Sequence, residues 1–140
     1  MSEEQAQQLM YQMQMLEGYL TELSQKESSL LNIMREAISA TESIKNSKIE
    51  SESEALVPIG MGTYMKAKIL PNQKVILNIG AGAAIEKDQE SAVNWIESRI
   101  KEFEIALQET NAQKQQVIAN LESGKQQMNQ LMQQAGQKQK

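Results

Sequence analysis

Two long stretches of the chain repeat apolar residues at alternating intervals of three and four positions. In the first stretch, ten of the twelve positions with this spacing are apolar, and the twelve are Ala6, Leu9, Met13, Leu16, Leu20, Leu23, Glu27, Leu30, Met34, Ala37, Thr41 and Ile44. In the second stretch ten of thirteen are apolar, and the thirteen are Val93, Ile96, Ile100, Phe103, Leu107, Thr110, Lys114, Val117, Leu121, Gly124, Met128, Leu131 and Ala135. A seven-residue repeat sustained this long predicts long helices that pair along an apolar seam. We therefore expect helices over residues 2–50 and 88–136 to form one antiparallel coiled coil within a single subunit that spans residues 1–140.

A segment of different character separates the two arrays. Between Val57 and Lys87 the chain is rich in β-formers and glycine. Turns are expected at Gly60-Met61-Gly62, Pro71-Asn72 and Gly80-Ala81-Gly82. Residues 55–87 are thus predicted to hold four short strands in two β-hairpins, and Asp88 is a candidate N-cap for the second helix.

Two hairpins are not stable alone in water, and their strand edges need partners. The insert therefore predicts oligomerisation, with strands from several chains closing a shared barrel or sandwich. The predicted fold is mainly α: a long antiparallel two-helix coiled coil with a central insert of two β-hairpins that assembles into an oligomeric β-barrel hub. Val75, Leu77 and Ile79 alternate along one strand and are expected to point into the shared core. The apolar residues expected in the hub are Ile59, Met65, Ile69, Val75, Leu77, Ile79 and Ile85.

Charge and composition exclude several classes of function. The net charge of −4 argues against a nucleic-acid partner, which requires a basic face. No apolar run approaches the ~20 residues that span a bilayer, and the acidic, polar N-terminus does not read as a secretory signal. The sequence has no cysteine, which fits a reducing compartment, so we expect a cytoplasmic protein.

The chain offers few groups for catalysis. Without histidine or cysteine it cannot form the usual nitrogen and sulfur zinc sites or a Ser-His or Cys-His pair, so we expect no enzyme activity, no metal and no cofactor. Residues 80–85 begin like a dinucleotide-binding fingerprint. However, Ile85 stands where a third small residue belongs, and no helix begins inside the motif. A glycine-containing hairpin turn is the better interpretation.

Three polar residues interrupt the seam near its middle: Glu27, Thr110 and Lys114. If facing residue numbers sum to about 137, Glu27 faces Thr110 and lies one layer from Lys114. A Glu27–Lys114 ion pair across the seam would fix the register of the helices. Alternatively, both side chains extend to water and only weaken the seam. The sequence leaves both interpretations open.

Methionines are concentrated near the two chain ends, which an antiparallel hairpin brings together at one tip. Met10, Tyr11, Met15 and Met132 lie off the seam, where a plain coiled coil carries polar residues. Methionine is flexible and recurs on surfaces that bind varied apolar sequences, so this tip is a candidate binding site for nonspecific hydrophobic segments. Four scattered side chains can also be incidental. The candidate residues are Leu9, Met10, Tyr11, Met13, Met15, Met128, Leu131 and Met132.

Specific residues in the middle of the chain resemble a known family. Residues 57–60, 64–69, 74–82 and 85–87, followed by the helix start at 92–104, are similar to the central segment of archaeal prefoldin alpha subunits. Alpha-type subunits have two hairpins and beta-type subunits have one. Met61 departs from the pattern, because a smaller residue is expected there, and this departure bears on strand packing.

The resemblance implies a heterohexamer of two alpha and four beta prefoldin subunits, built on a central double β-barrel from which six coiled coils extend. It also implies an ATP-independent molecular chaperone, a holdase that captures unfolded client proteins at the coiled-coil tips and transfers them to a group II chaperonin. Neither nucleic acid nor a membrane is an expected partner. The alternative function is a structural spacer or tether, assembled through the same β hub.

Overall fold

A computed structural model describes residues 2–47 and 51–138 of the chain. Its elements, in order, are helix α1 (Ser2–Asn46), strands β1 (Ser53–Gly60), β2 (Thr63–Ile69), β3 (Val75–Gly80) and β4 (Ala83–Lys87), and helix α2 (Gln89–Lys138). The prediction of two long helices around two central hairpins is confirmed.

The chain forms two compact units, and both helices contribute to each. We call Met1–Ile33 with Phe103–Lys140 the terminal unit, and Met34–Glu102 the hairpin unit.

The element boundaries differ from the sequence-based ranges by a few residues. Helix α1 ends at Asn46 rather than at residue 50, and Ser47 forms a turn in which its N–H donates to the carbonyl of Ser43. The last three residues of the expected helix, 48–50, lie outside the described part of the chain. Strand β1 begins at Ser53, two residues earlier than expected, because β2 extends to Ile69 and Ser53 pairs with that residue.

Burial along the helices follows the heptad arrays. Every position of the first array is buried or half-buried, and in the second array Ala135 alone is exposed. The two buried threonines of the seam, Thr41 and Thr110, each donate a hydroxyl hydrogen bond to the carbonyl four residues earlier, at 3.0 Å and 2.7 Å. These bonds satisfy the hydroxyls locally, so a polar residue is accommodated in the seam without a partner on the other helix.

Within the terminal unit the two helices pack in the expected register. Leu23, Val117 and Leu121 form a buried cluster against which Met13, Leu16 and Leu20 pack. A Cβ placed on Gly124 would lie 3.1 Å from Met13 Cγ, so these residues face one another as a sum of 137 requires. The antiparallel pairing expected from the sequence is confirmed in this unit.

The two hairpins use the same turn twice. In the turn after β1, Met61 and Gly62 have φ angles of 51° and 73°, and after β3 Ala81 and Gly82 have 54° and 75°. Positive φ at both central residues matches the twist of an antiparallel hairpin. Gly80-Ala81-Gly82 is therefore a hairpin turn, as predicted. Met61 bears on this turn rather than on strand packing, since its side chain is fully exposed.

Asp88 caps helix α2, as expected from its position. Its carboxylate accepts a 2.7 Å hydrogen bond from the backbone N–H of Ser91, and its carbonyl accepts the N–H of Ala92. The hydrogen bond from the Ser91 backbone, followed by that from the Ser91 side chain, lowers the pKa of Asp88, because both stabilise the charged carboxylate. The cap fixes the point at which the chain passes from β4 into α2.

Candidate functional site

The predicted tip residues all lie in the terminal unit, where they divide into two groups by burial. The seam residues Leu9, Met13, Met128 and Leu131 are half-buried, and the off-seam residues Met10, Tyr11, Met15 and Met132 are exposed. The off-seam group therefore presents most of the accessible apolar surface of this set.

Three exposed side chains form a continuous stripe along α1. Tyr11, Met15 and Tyr19 follow one another at intervals of four residues, which places them on one helix face, and they are 65%, 61% and 42% exposed. With Gln12 and Leu16 they line an open hollow of about 510 Å³. We call Tyr11, Met15 and Tyr19 the tyrosine–methionine face.

Tyr19 belongs to this face and was absent from the sequence-based set. The signal that could have found it is its spacing of four from Met15, off the seam. The set was restricted to residues close to the chain ends, and the helix carries the face further along.

The other exposed tip residues lie elsewhere on the terminal unit. Met132 lines a smaller hollow of about 120 Å³ with Met128 and Leu131, which belong to α2. Met10 lies about 140° around α1 from Met15 at 3.6 residues per turn. The predicted residues thus do not form one patch, and the hollow beside the tyrosine–methionine face is larger than the one that Met132 lines.

An ion pair crosses the seam between the two helices of the terminal unit. Lys114 Nζ lies 3.3 Å from Glu27 Oε2, and the two side chains are 21% and 27% exposed. Of the two interpretations left open by the sequence, the geometry selects the bridge. A shift of one helix along the other would separate the two groups and leave each half-buried without its partner. The pair therefore constrains the register of the helices.

The hairpin unit carries a second set of exposed apolar residues. Each sheet has two strands, so within the described chain every strand has an unpaired edge. Of the residues expected in the hub, Ile59, Met65, Ile69, Ile79 and Ile85 are exposed, and Val75 is half-buried.

Leu77 differs from the other residues expected in the hub. It was expected to face a core shared with other subunits, but it is only 6% exposed and is buried within its own chain. Almost no surface of Leu77 remains for a second chain. Its neighbour Ile76, on the opposite face of β3, is 68% exposed.

Sequence reasoning also missed exposed apolar residues on the hairpins. These are Leu56, Val57, Tyr64 and Ile76. In the first hairpin Val57 pairs with Met65 and Leu56 with Lys66, so apolar side chains lie on both faces of the sheet. Leu56, Tyr64 and Ile76 lie opposite the assigned hub residues of their hairpins, and alternation along the strands was the available signal. Val57 shares a face with Met65 and was left out.

None of the described helices has an apolar stretch of the length and hydropathy that a membrane span requires.

Comparison with known proteins places the chain in a family. Residues 2–139 match the family model described as Prefoldin subunit. The sequence is 59% identical to prefoldin subunit alpha of Nitrosopumilus maritimus, over 95% of this chain and 92% of that protein. It is 35% identical to prefoldin subunit alpha of Pyrococcus horikoshii, over 81% of this chain and 76% of the relative.

Two solved structures share the fold. The prefoldin beta subunit from Thermococcus strain KS-1 superposes with a TM-score of 0.64 at 16% identity, covering 90% of each chain. A filamentous PFD from Methanocaldococcus jannaschii gives 0.54 at 20% identity, covering 86% of this chain and 95% of that one. The family match over nearly the whole sequence, together with this architecture, shows that the chain belongs to the prefoldin family of chaperone subunits.

Proposed function

We propose that this chain is the alpha-type subunit of an ATP-independent holdase, which captures unfolded polypeptides on the terminal unit and transfers them to a group II chaperonin. It would work in the cytoplasm as part of a heterohexamer of two alpha and four beta prefoldin subunits. The observation that carries the proposal is the tyrosine–methionine face, where three large side chains remain exposed in a row along one face of α1.

The proposed capture rests on many weak contacts. Fully covering one such side chain contributes up to ~2 kcal/mol, and a disordered segment covers each only in part. One terminal unit therefore binds weakly, and several terminal units that engage one polypeptide raise the effective affinity without a new kind of contact. Assembly is thus a requirement of the proposed function.

The hairpin unit supports such assembly. Its strands have open edges, and apolar residues such as Leu56, Val57 and Ile76 are exposed on their faces. Isolated hairpins with such edges are poorly stable in water, so pairing with hairpins of other subunits would stabilise them. We propose that these strands close a β-barrel hub with the beta subunits.

Aggregation assays test the capture surface. A chemically denatured enzyme is diluted into buffer with assembled complex, and light scattering is recorded. Tyr11→Gln, Met15→Gln and Tyr19→Gln combined should reduce protection strongly and preserve the helix, because glutamine is a good helix former.

The matched control carries Leu31→Gln, Ile33→Gln and Ile38→Gln, which also remove three exposed apolar residues from α1. It should protect like the wild type. Loss of protection in the control alone would move the capture surface to that part of the helix. No protection by any complex, including the wild type, would favour a structural tether.

A pair of substitutions on the hairpins tests the hub. Ile76→Asp should dissociate the complex without loss of helical content, because assembly would bury an unpaired charge. Ile105→Asp, at an exposed isoleucine of α2, should leave the mass of the complex unchanged in native mass spectrometry. An intact hexamer with Ile76→Asp would contradict the proposed hub.

A further inference from the structure

The tyrosine–methionine face lies between two carboxylates. On a helical projection Glu4 and Glu22 fall within about 20° of Met15, at 3.6 residues per turn. Glu4 lines a hollow of about 310 Å³ with Gln7, Gln8, Tyr11 and Gln12, and Tyr11 and Gln12 also line the larger hollow beside Met15. The two hollows therefore adjoin at Tyr11 and Gln12, and Glu4 lies next to the apolar surface.

The charge of this part of α1 has a single sign. Residues 2–25 contain four glutamates, Glu3, Glu4, Glu17 and Glu22, and no lysine or arginine. Glu4 and Glu22 are exposed and have no ion-pair partner among the described residues. A cation that approaches this face meets these two carboxylates, with Lys26 as the first basic residue along α1, and the faces of Tyr11 and Tyr19 also attract cations.

We propose that this face selects unfolded polypeptide segments in which basic residues flank an apolar run. The inference rests on the proposed function and specifies which client segments the site prefers. The apolar part of the segment covers Tyr11, Met15 and Tyr19, and a lysine or arginine at each end pairs with Glu4 or Glu22.

The spacing of the carboxylates sets the length of the preferred segment. Glu4 and Glu22 are eighteen residues apart in the sequence, which corresponds to about 27 Å along the helix at 1.5 Å per residue. An extended chain rises about 3.4 Å per residue, so basic residues about eight positions apart match the two carboxylates.

The inference is tested by measuring peptide binding to the assembled complex that contains the full-length chain. Three fluorescent peptides of about twelve residues share one apolar core and differ in their flanks. The first has two lysines about eight residues apart, the second has the same composition with both lysines at one end, and the third has glutamine in place of lysine.

Fluorescence anisotropy should rank the three peptides in that order. Exposed ion pairs are individually weak, so we expect the first peptide to bind about threefold to fivefold more tightly than the third at low salt. The advantage should largely disappear at roughly 0.5 M salt, where charges are screened over a few ångströms.

Charge variants locate the effect on the helix. Glu4→Gln with Glu22→Gln should reduce the first peptide to the affinity of the third. The control, Glu3→Gln with Glu17→Gln, removes the same charge from other sides of α1 and should keep most of the preference. An equal effect of both double variants would mean that net charge alone acts, and would overturn the proposed pairing.

The remaining outcomes separate this inference from the function on which it rests. Equal binding of all three peptides, with aggregation still suppressed, overturns the basic preference and leaves capture intact. Binding of none, with no suppression of aggregation, overturns both. If the chain self-associates and the Glu4 and Glu22 substitutions abolish that self-association, the face binds a second copy of the chain. This result would also overturn the inference.

Discussion

Adding one methyl group at Gly124 measures how closely the two helices of the terminal unit pack. A Cβ at this position would meet Met13 Cγ at 3.1 Å and Met13 Sδ at 3.3 Å, with the Leu9 side chain at 3.9 Å. Two of these distances are shorter than ordinary van der Waals contact. Met13 must therefore move by a few tenths of an ångström to accommodate alanine.

Helix propensity and burial of the methyl group together outweigh the cost of displacing Met13. Replacing glycine with alanine inside a helix stabilises it by about 1 kcal/mol, and burying a methyl group adds a comparable amount. Displacing Met13 opposes this gain, but its side chain is unbranched, flexible and only half-buried. We expect Gly124→Ala to raise the free energy of unfolding by about 1 kcal/mol or less.

Gly18→Ala is the matched control, because a Cβ there has no atom within 4 Å beyond its chain neighbours and the backbone of its own helix. It reports helix propensity alone, and urea unfolding followed by circular dichroism gives both values. The difference between the two substitutions then measures the packing of the new methyl group against Met13.

A double-mutant cycle with Met13→Ala tests the contact itself. If Met13 faces Gly124, the effects of Gly124→Ala and Met13→Ala should depart from additivity by at least ~0.5 kcal/mol. Additive effects would refute the packing register. Destabilisation by Gly124→Ala of more than ~1 kcal/mol beside a stabilising Gly18→Ala would show that Met13 cannot move.

Three other changes test separate features. Lys114→Leu should lower the urea midpoint, because it leaves the half-buried Glu27 carboxylate without a partner. Adding Glu27→Leu removes that carboxylate and should recover most of the loss. An equal loss in the single and the double variant would contradict a constraining bridge. Asp88→Ala should lower the thermal midpoint at neutral pH. Because the folded-state pKa of Asp88 is lowered, the stability it confers is present above the unfolded pKa of ~3.9 and is lost as pH falls through the folded value. If the thermal midpoints of the wild type and Asp88→Ala differ by the same amount at neutral and at strongly acidic pH, this account of the cap is contradicted. Met61→Asn should stabilise the chain against urea by about 1 kcal/mol, because asparagine tolerates a positive φ, and no gain would argue against strain in this turn.

The helical part of the fold could be predicted because its signal is local. A seven-residue repeat determines which side chains share a face, so burial at Leu23, Val117 and Leu121 follows from spacing alone. Turn chemistry is also local, and the glycines predicted both hairpin turns. The Glu27–Lys114 pair could not be decided in advance, because a bridge and two solvated side chains share the same sequence pattern.

The surfaces were less predictable because they depend on contacts between distant segments. Alternation along β3 separates Ile76 from Leu77, but it does not tell which face the rest of the chain covers. The structure buries Leu77, which was expected to face other subunits, and leaves Ile76 exposed, for which nothing was predicted. Tyr19 was missed for a different reason, since the candidate surface was limited to the chain ends and the stripe follows the helix further.

Photo-crosslinking tests most directly whether the tyrosine–methionine face captures unfolded polypeptide. A photoreactive amino acid replaces Met15 in one variant and Glu42, an exposed residue of α1 in the hairpin unit, in another. Each assembled complex is illuminated with a chemically denatured protein, and adducts are identified by mass spectrometry. We predict adducts from position 15 that native protein does not form, and few from position 42. Equal labelling from both positions, or labelling from position 42 alone, would contradict capture at this face.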